Sequence, residues 1–171
     1  MGGRSSVALK RIIFTMNQSP AVVVSVNISP GGIPKRPIEV GEVTIDGLVG
    51  DAHDHEKHRS PIQAICLIDL EDLDALREEG FDLHPGATGE NLTVQGLDAD
   101  ELNIGDRLQF SGGLELEITK RRNPCFVLDA ISPELQAAIK GRCGCYGKVI
   151  RPAEIRPGET IKVLQATTAD D

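Results

Sequence analysis

Apolar positions along this chain come in short runs rather than in long helical stripes. Ala21 to Ile28 is mostly β-branched and brief, and reads as a buried strand. Glu39 to Ile45 offers a second strand, with Val40, Val43 and Ile45 as its apolar members. Asp46-Gly47 and Gly50-Asp51 mark turns, and the polar residues 51–60 read as a loop. Ile62 to Ile68 is apolar enough for another buried segment. Leu70, Leu73 and Leu76 then switch the period to that of a helix. Asp69 is placed to cap it, Glu71 and Asp72 suit its positive end, and Gly80 stops it.

Pro85 to Asn91 is a glycine-bearing loop that enters a strand at Leu92 to Val94, and Ile104 to Phe110 continues the β pattern. Leu114, Leu116 and Ile118 alternate with Glu115, Glu117 and Thr119, the signature of a half-buried strand. Ser132-Pro133-Glu134 opens a second helix, with Ser132 as cap and Leu135, Ala138 and Ile139 as its apolar face. Tyr146 to Ile150 and Thr160 to Leu164 close the set. About seven to nine short strands joined by tight turns, with two helices outside the alternation, predict a mostly β chain. The expected architecture is a β-barrel-like sheet with peripheral helices. Residues 1–19 read as a flexible extension, with Met16 as an alternative start, residues 20–165 as one domain, and residues 166–171 as a frayed tail.

Composition narrows the function classes. Aromatics are 3% with no Trp, so the core rests on Val, Ile and Leu. The net charge of −8 argues against a nucleic-acid binder. Charge is unevenly spread, however: between Lys120 and Arg156 eight cations meet three anions, a local +5. That segment suits a solvated face or a pocket for a small anion such as a phosphate ester. No apolar run is long enough to span a bilayer, and no secretory signal is evident; the expectation is a cytoplasmic protein with reduced thiols and no membrane partner.

The candidate chemistry centres on Cys125. Lys120, Arg121 and Arg122 precede it, then Asn123 and a stiffening Pro124. Cations lower a thiol's pKa, and the thiolate is the form that attacks sulfur and binds metals. Cys66, inside an apolar run, reads as core. Cys143-Gly144-Cys145 would put two thiols on one side of an extended segment, as ordinary cysteines beside a strand. His53, His55 and His58 are imidazoles in a polar loop, but no standard zinc spacing fits them, so no zinc is expected. His58 and Arg59 suit contact with an anion. Gly86-x-x-Gly89-Glu90-Asn91 lacks the glycines and context of a nucleotide-binding loop; it reads as a plain turn or as the wall of a polar site lined by Glu90 and Asn91.

Several of these pieces, in order, resemble the MOSC domain family, named after the C-terminal domain of molybdenum cofactor sulfurase. They are Ile28 to Lys35, Gly47 to His53 with His58-Arg59, Gly86 to Thr93, Ile104 to Leu108, Arg122 to Cys125, Gly141 to Val149, and Arg156 to Glu159. The resemblance covers about residues 21–164. It departs from the family at Ser60 to Ile65 and at Cys143 and Cys145, and no family role is carried onto those two cysteines. It implies a β-barrel-like fold, a molybdenum cofactor, and Cys125 as the signature cysteine, either a persulfide carrier or a thiolate ligand of molybdenum. Arg59, Lys120 and Arg122 are then the expected contacts of a molybdopterin-like anion, with Glu90 and Asn91 lining the site. No aminotransferase-like segment for pyridoxal phosphate and no iron–sulfur segment is recognised, so sulfur transfer or molybdenum-dependent redox chemistry would call on a cysteine desulfurase or a redox partner protein. A non-catalytic ligand-binding or scaffold protein of the same fold is the alternative, and a zinc hydrolase built on the histidine loop is a third reading.

Overall fold

A computed structural model describes residues 19–52 and 60–167. The strands are β1 (Ala21–Ile28), β2 (Arg36–Ile38), β3 (Gly41–Thr44), β4 (Gly47–Leu48), β5 (Ile65–Asp69), β6 (Leu92–Gln95), β7 (Arg107–Phe110), β8 (Glu115–Arg121), β9 (Cys145–Arg151), β10 (Ala153–Ile155) and β11 (Thr160–Leu164). The helices are α1 (Leu70–Glu78) and α2 (Leu135–Ala138), with 3-10 turns at Pro61–Gln63, Ala99–Glu101 and Phe126–Ala130.

Seven strands close into a barrel in the order β11-β7-β8-β9-β5-β6-β1, because β1 pairs with β11 at its start and with β6 beyond it. Closure removes the exposed sheet edges that would otherwise template aggregation. Among the described strands only β5 and β6 pair in parallel, with Leu67 opposite Leu92. Parallel neighbours need a crossover, and α1 with the loop after it supplies one. β2 pairs the far end of β1, and β10, β3 and β4 form a small second sheet. The described strands exceed the seven to nine expected because β2, β4 and β10 are too short to carry a period.

Two apolar cores follow from the alternation. Ile65 and Leu67 of β5 join Leu114, Leu116 and Ile118 inside the barrel, whereas Ile68 faces outward and packs with Leu73, Leu76, Leu128, Leu135 and Ile139 beneath the helices. Three local expectations are corrected. Ile62 is 53% exposed, because Pro61 starts a 3-10 turn before the strand begins. Asp69 occupies the position before α1, but its carboxylate caps nothing there. It instead accepts the backbone N–H groups of Leu97, Asp98 and Ala99 at 3.1, 2.9 and 2.5 Å. Ser132 accepts from the Glu134 amide at 3.3 Å, yet the residues after it form a turn, and the α-helix starts only at Leu135.

The thiols of Cys143 and Cys145 do not share a side. Cys145 belongs to the barrel core and Cys143 to the core under the helices. Gly144 between them has φ +83, a left-handed conformation that breaks the two-residue period of a strand.

Candidate functional site

Cys125, Lys120 and Arg122 meet at a cleft of about 350 Å³ on the outer wall formed by β5, β8 and β9. The alternation of β8 explains how charged residues reach it. Leu114, Leu116 and Ile118 point inward, so an unbroken strand would bury Lys120 next. A bulge interrupts the pairing instead: Ile118 faces Gly147 and Lys120 faces Tyr146, leaving Thr119 without a place in the register. Bulges re-aim side chains, and this one turns Lys120 toward the cleft, while Arg121 donates instead to the Leu102 carbonyl at 3.0 Å. Cys66 of β5 and Tyr146 of β9 form the floor beside them. Cys125 is half-buried, in extended backbone at φ −136 and ψ 167, and its carbonyl accepts the Leu128 amide at 3.1 Å to start the next turn.

The loop after α1 is built around Glu90. This carboxylate is fully buried and accepts three hydrogen bonds: Gly86 N–H at 2.6 Å, the Thr88 hydroxyl at 2.7 Å and the Thr93 hydroxyl at 2.8 Å. Thr88 in turn holds Arg122, whose guanidinium donates to the Thr88 hydroxyl at 3.1 Å and to its carbonyl. Glu90 therefore stands behind the cleft wall and positions the arginine through Thr88. Glu90→Ala leaves three donors without their acceptor in a buried site, and is expected to cost roughly 3–5 kcal/mol, read by urea denaturation. An unchanged urea midpoint would refute this bracing role.

A second buried chain fixes the opposite wall. Lys35 Nζ lies 2.5 Å from Asp51 Oδ2, and both side chains are less than a tenth exposed. Asp51 also accepts the Ser29 amide at 2.9 Å and the Asn91 side-chain amide at 2.8 Å. Asn91 completes the chain by accepting the Cys66 amide at 3.0 Å. Each group thus satisfies its neighbour, as buried polar networks must. Burial pushes the Cys66 thiol up, against the pull of Arg122, so this second thiol of the cleft is held protonated. Burial likewise raises the Tyr146 hydroxyl, to about 12. Burial opposes the charge on Arg122, but the Glu90 carboxylate, joined by Cys66, Cys143 and Tyr146 at the high pH where these ionise, outweighs it and shifts its pKa upward.

A family model for the MOSC domain matches residues 54–162, well over half of the chain. The chain belongs to the MOSC family. This MOSC protein is 29% identical over 127 residues to a protein named as a reductase in Gibberella moniliformis, across 70% of this chain and 23% of that one. It is 28% identical over 140 residues to the uncharacterized protein YflK of Bacillus subtilis, across 78% of this chain and 63% of that one. It therefore spans about a quarter of the first relative and under two thirds of the second. The solved structure of YuaD from Bacillus subtilis superposes with TM-score 0.70 at 22% identity, covering 85% of this chain and 96% of that one, and shares the fold. YiiM from Geobacillus stearothermophilus gives TM-score 0.72 at 26% identity, covering 85% and 76%.

The MOSC fold brings Cys125, Lys120, Arg122 and Asn91 to one cleft and leaves Glu90 behind it. Arg59, His53, His55 and His58 lie outside the described residues. Sequence reasoning missed Lys35, Asp51, Thr88, Cys66 and Tyr146. Asp51 reads as part of a turn and Lys35 carries no local signal, and only their mutual burial distinguishes them. The basic segment is less focused than its count implied. Arg142, Lys148, Arg151 and Arg156 are paired with Glu79, Glu117, Glu115 and Glu154, so Lys120 and Arg122 are its cations in the cleft.

Proposed function

We propose that the cleft binds a molybdopterin-type phosphate ester and that Cys125 handles sulfur or metal beside it. The observation that carries this reading is one half-buried thiol facing the same cleft as Lys120 and a braced Arg122. Arg122 and Lys120 suit a phosphate, the first as an oriented fork and the second as a mobile point charge. Asn91 and the Gly86–Gly89 loop supply polar walls, and about 350 Å³ lies in the range of small-molecule pockets. A thiolate suits a soft metal. The donor set therefore fits a molybdenum cofactor, which when bound would supply a centre for oxygen-atom and electron exchange.

The chain's own contribution takes one of two forms. As a sulfur carrier, the Cys125 thiolate attacks the terminal sulfur of a donor persulfide; the new S–S bond forms as the old one breaks, and the donor leaves as a thiolate. As a ligand, the same thiolate holds the metal while Arg122 and Lys120 fix the phosphate. A cysteine desulfurase supplies the sulfur in the first case and a separate redox partner the electrons in the second.

The test is anaerobic purification from a host that makes the cofactor, followed by metal and pterin analysis. Mass spectrometry after incubation with a desulfurase and cysteine accompanies it. Co-purified pterin with molybdenum, or one added sulfur on Cys125, is the expected result. Protein that carries no pterin, no molybdenum and an unmodified Cys125 would overturn the proposal and favour a scaffold role.

A further inference from the structure

The inner end of the cleft holds a buried cation that neither sulfur transfer nor phosphate binding employs. A row of residues crosses the outer wall of the barrel there. Asn91 is clamped to Cys66: its backbone amide donates to the Cys66 carbonyl at 2.9 Å, and its side-chain oxygen accepts the Cys66 amide at 3.0 Å. Cys66 stands opposite Tyr146, and Tyr146 opposite Lys120. All four line the cleft, and neighbouring strands lie about 4.8 Å apart, so the row is roughly 14 Å long at the backbone. Burial falls away along it. Asn91 is 2% exposed and Cys66 5%, Tyr146 is half-buried, and Lys120 is exposed. Lys35 extends the row at its buried end. It lines the cleft, is 6% exposed, and its Nζ donates to the same Asp51 oxygen as the Asn91 side-chain amide, at 2.5 and 2.8 Å.

Two features fix what this end can take. The first is charge. Asp51 neutralises Lys35 and stands behind it, outside the cleft lining. The second is the direction of the hydrogen bonds. Lys35 has three N–H donors, and among the described residues Asp51 is the one acceptor bonded to its ammonium. Asp51 is itself fully engaged, since one oxygen takes the Ser29 amide and the other takes Lys35 and Asn91. The buried end therefore presents a donor without net charge, whereas Lys120 presents a cation in water. An ionised group is penalised most by burial and keeps to the Lys120 end, while a neutral acceptor suits the Lys35 end. A buried ion pair stabilises a fold little more than apolar side chains of the same volume, so its place in a cleft wall points to a ligand.

We infer that Lys35 is a specificity-determining residue: it donates a hydrogen bond to a neutral oxo or carbonyl oxygen on the ligand's ring, while the ligand's anionic group stays with Lys120 and Arg122. This role rests on the reading of the cleft as a site for a ring-bearing phosphate ester, and adds which ring edge the cleft selects. An exocyclic amine in place of that oxygen sets donor against donor, with the Asp51 oxygens already taken, and is rejected.

The test is an NMR titration of the isotope-labelled whole chain with 6-hydroxymethylpterin and with 2,4-diamino-6-hydroxymethylpteridine, at neutral pH where both rings are predominantly uncharged. The second carries an amine where the first carries its oxo oxygen. Inorganic phosphate is titrated separately. The pterin should shift the Lys35 side-chain signals, and phosphate should shift those of Lys120 and Arg122. The pterin should bind about ten- to a hundredfold more tightly than the diamine, the range of a hydrogen bond from a charged donor. Lys35→Gln keeps a donor for Asp51 without the charge, and should weaken the pterin by about tenfold while phosphate binding is unchanged. Lys35→Gln with Asp51→Asn keeps the pair neutral where the single variant does not fold. Equal affinity for the two pteridines, no binding of either, or Lys35 signals that the pterin leaves unmoved would overturn the role of Lys35, and phosphate shifts at Lys120 and Arg122 would then leave the anion site standing. Selective pterin binding without phosphate binding would uphold Lys35 and count against the anion site instead. The titration of the unaltered protein decides the matter even if neither variant folds.

Discussion

On the function proposed above, Cys125→Ser is expected to abolish whichever role the thiol has, sulfur acceptance or molybdenum retention, to background, while leaving the protein folded. The thiol is half-buried at the rim of the cleft and belongs to neither apolar core. Its backbone is extended, a conformation serine adopts without strain. Stability should therefore change by less than about 0.5 kcal/mol. Function should change completely, because a hydroxyl is not ionised at neutral pH, cannot accept a sulfane sulfur and is a poor ligand for a soft metal. Mass spectrometry, metal analysis and a thermal melt together make the measurement. A serine variant that still co-purifies with molybdenum and pterin would leave the cleft as a binding site and remove Cys125 from its chemistry.

The opposite profile is expected of Gly144→Ala. This position has φ +83, which costs a residue with a Cβ about 1–2 kcal/mol. The added carbon would also lie 1.8 Å from the Leu67 carbonyl oxygen, in a strand buried at every position. A flexible side chain could move aside, but a central strand's backbone cannot. The expected loss exceeds about 4 kcal/mol, enough to unfold a marginal domain. If the variant survives, its displaced turn should weaken the hydrogen bonds to Asp100 and Arg122, and amide exchange at those residues should report it. A melting temperature within a few degrees of the parent would show that the turn and β5 separate more easily than their contact implies.

The barrel strands were the most legible part of the sequence. β1 and β8 carry uninterrupted β-branched or alternating runs, and both lie where the pattern placed them. α1 was legible from its leucine period. The failures have a common physical origin, since they lie where the local rule was overridden by a distant partner. Asp69 has the sequence of a helix cap, but three amides from a loop 28 to 30 residues away claim its carboxylate. Cys143 and Cys145 have the spacing of a shared face, but the left-handed Gly144 divides them between two cores. At the site, the cation-flanked thiol was visible because its neighbours are adjacent in sequence. Lys35 and Asp51 were not, because their pairing spans 16 residues and includes a reversal of the chain. Glu90 reads in the sequence as part of a polar wall, whereas in the fold it is buried behind the cleft and braces Thr88 and Arg122.

The bulge at Thr119 makes the path from the barrel core to Cys125 a matter of parity. One extra residue on β8 is what exchanges inside for outside between Ile118 and Lys120. Deleting Thr119 would leave Lys120 directly after Ile118 and still on the outer face, whereas keeping Thr119 in a regular, unbulged pairing would send Lys120's side chain into the core. What decides which side chains of this stretch face the cleft is thus the place of the bulge, not the residue count alone. A hydrophobic-pattern alignment that slides across Thr119 to gain one more matched apolar pair would assign the cleft to the wrong set of side chains.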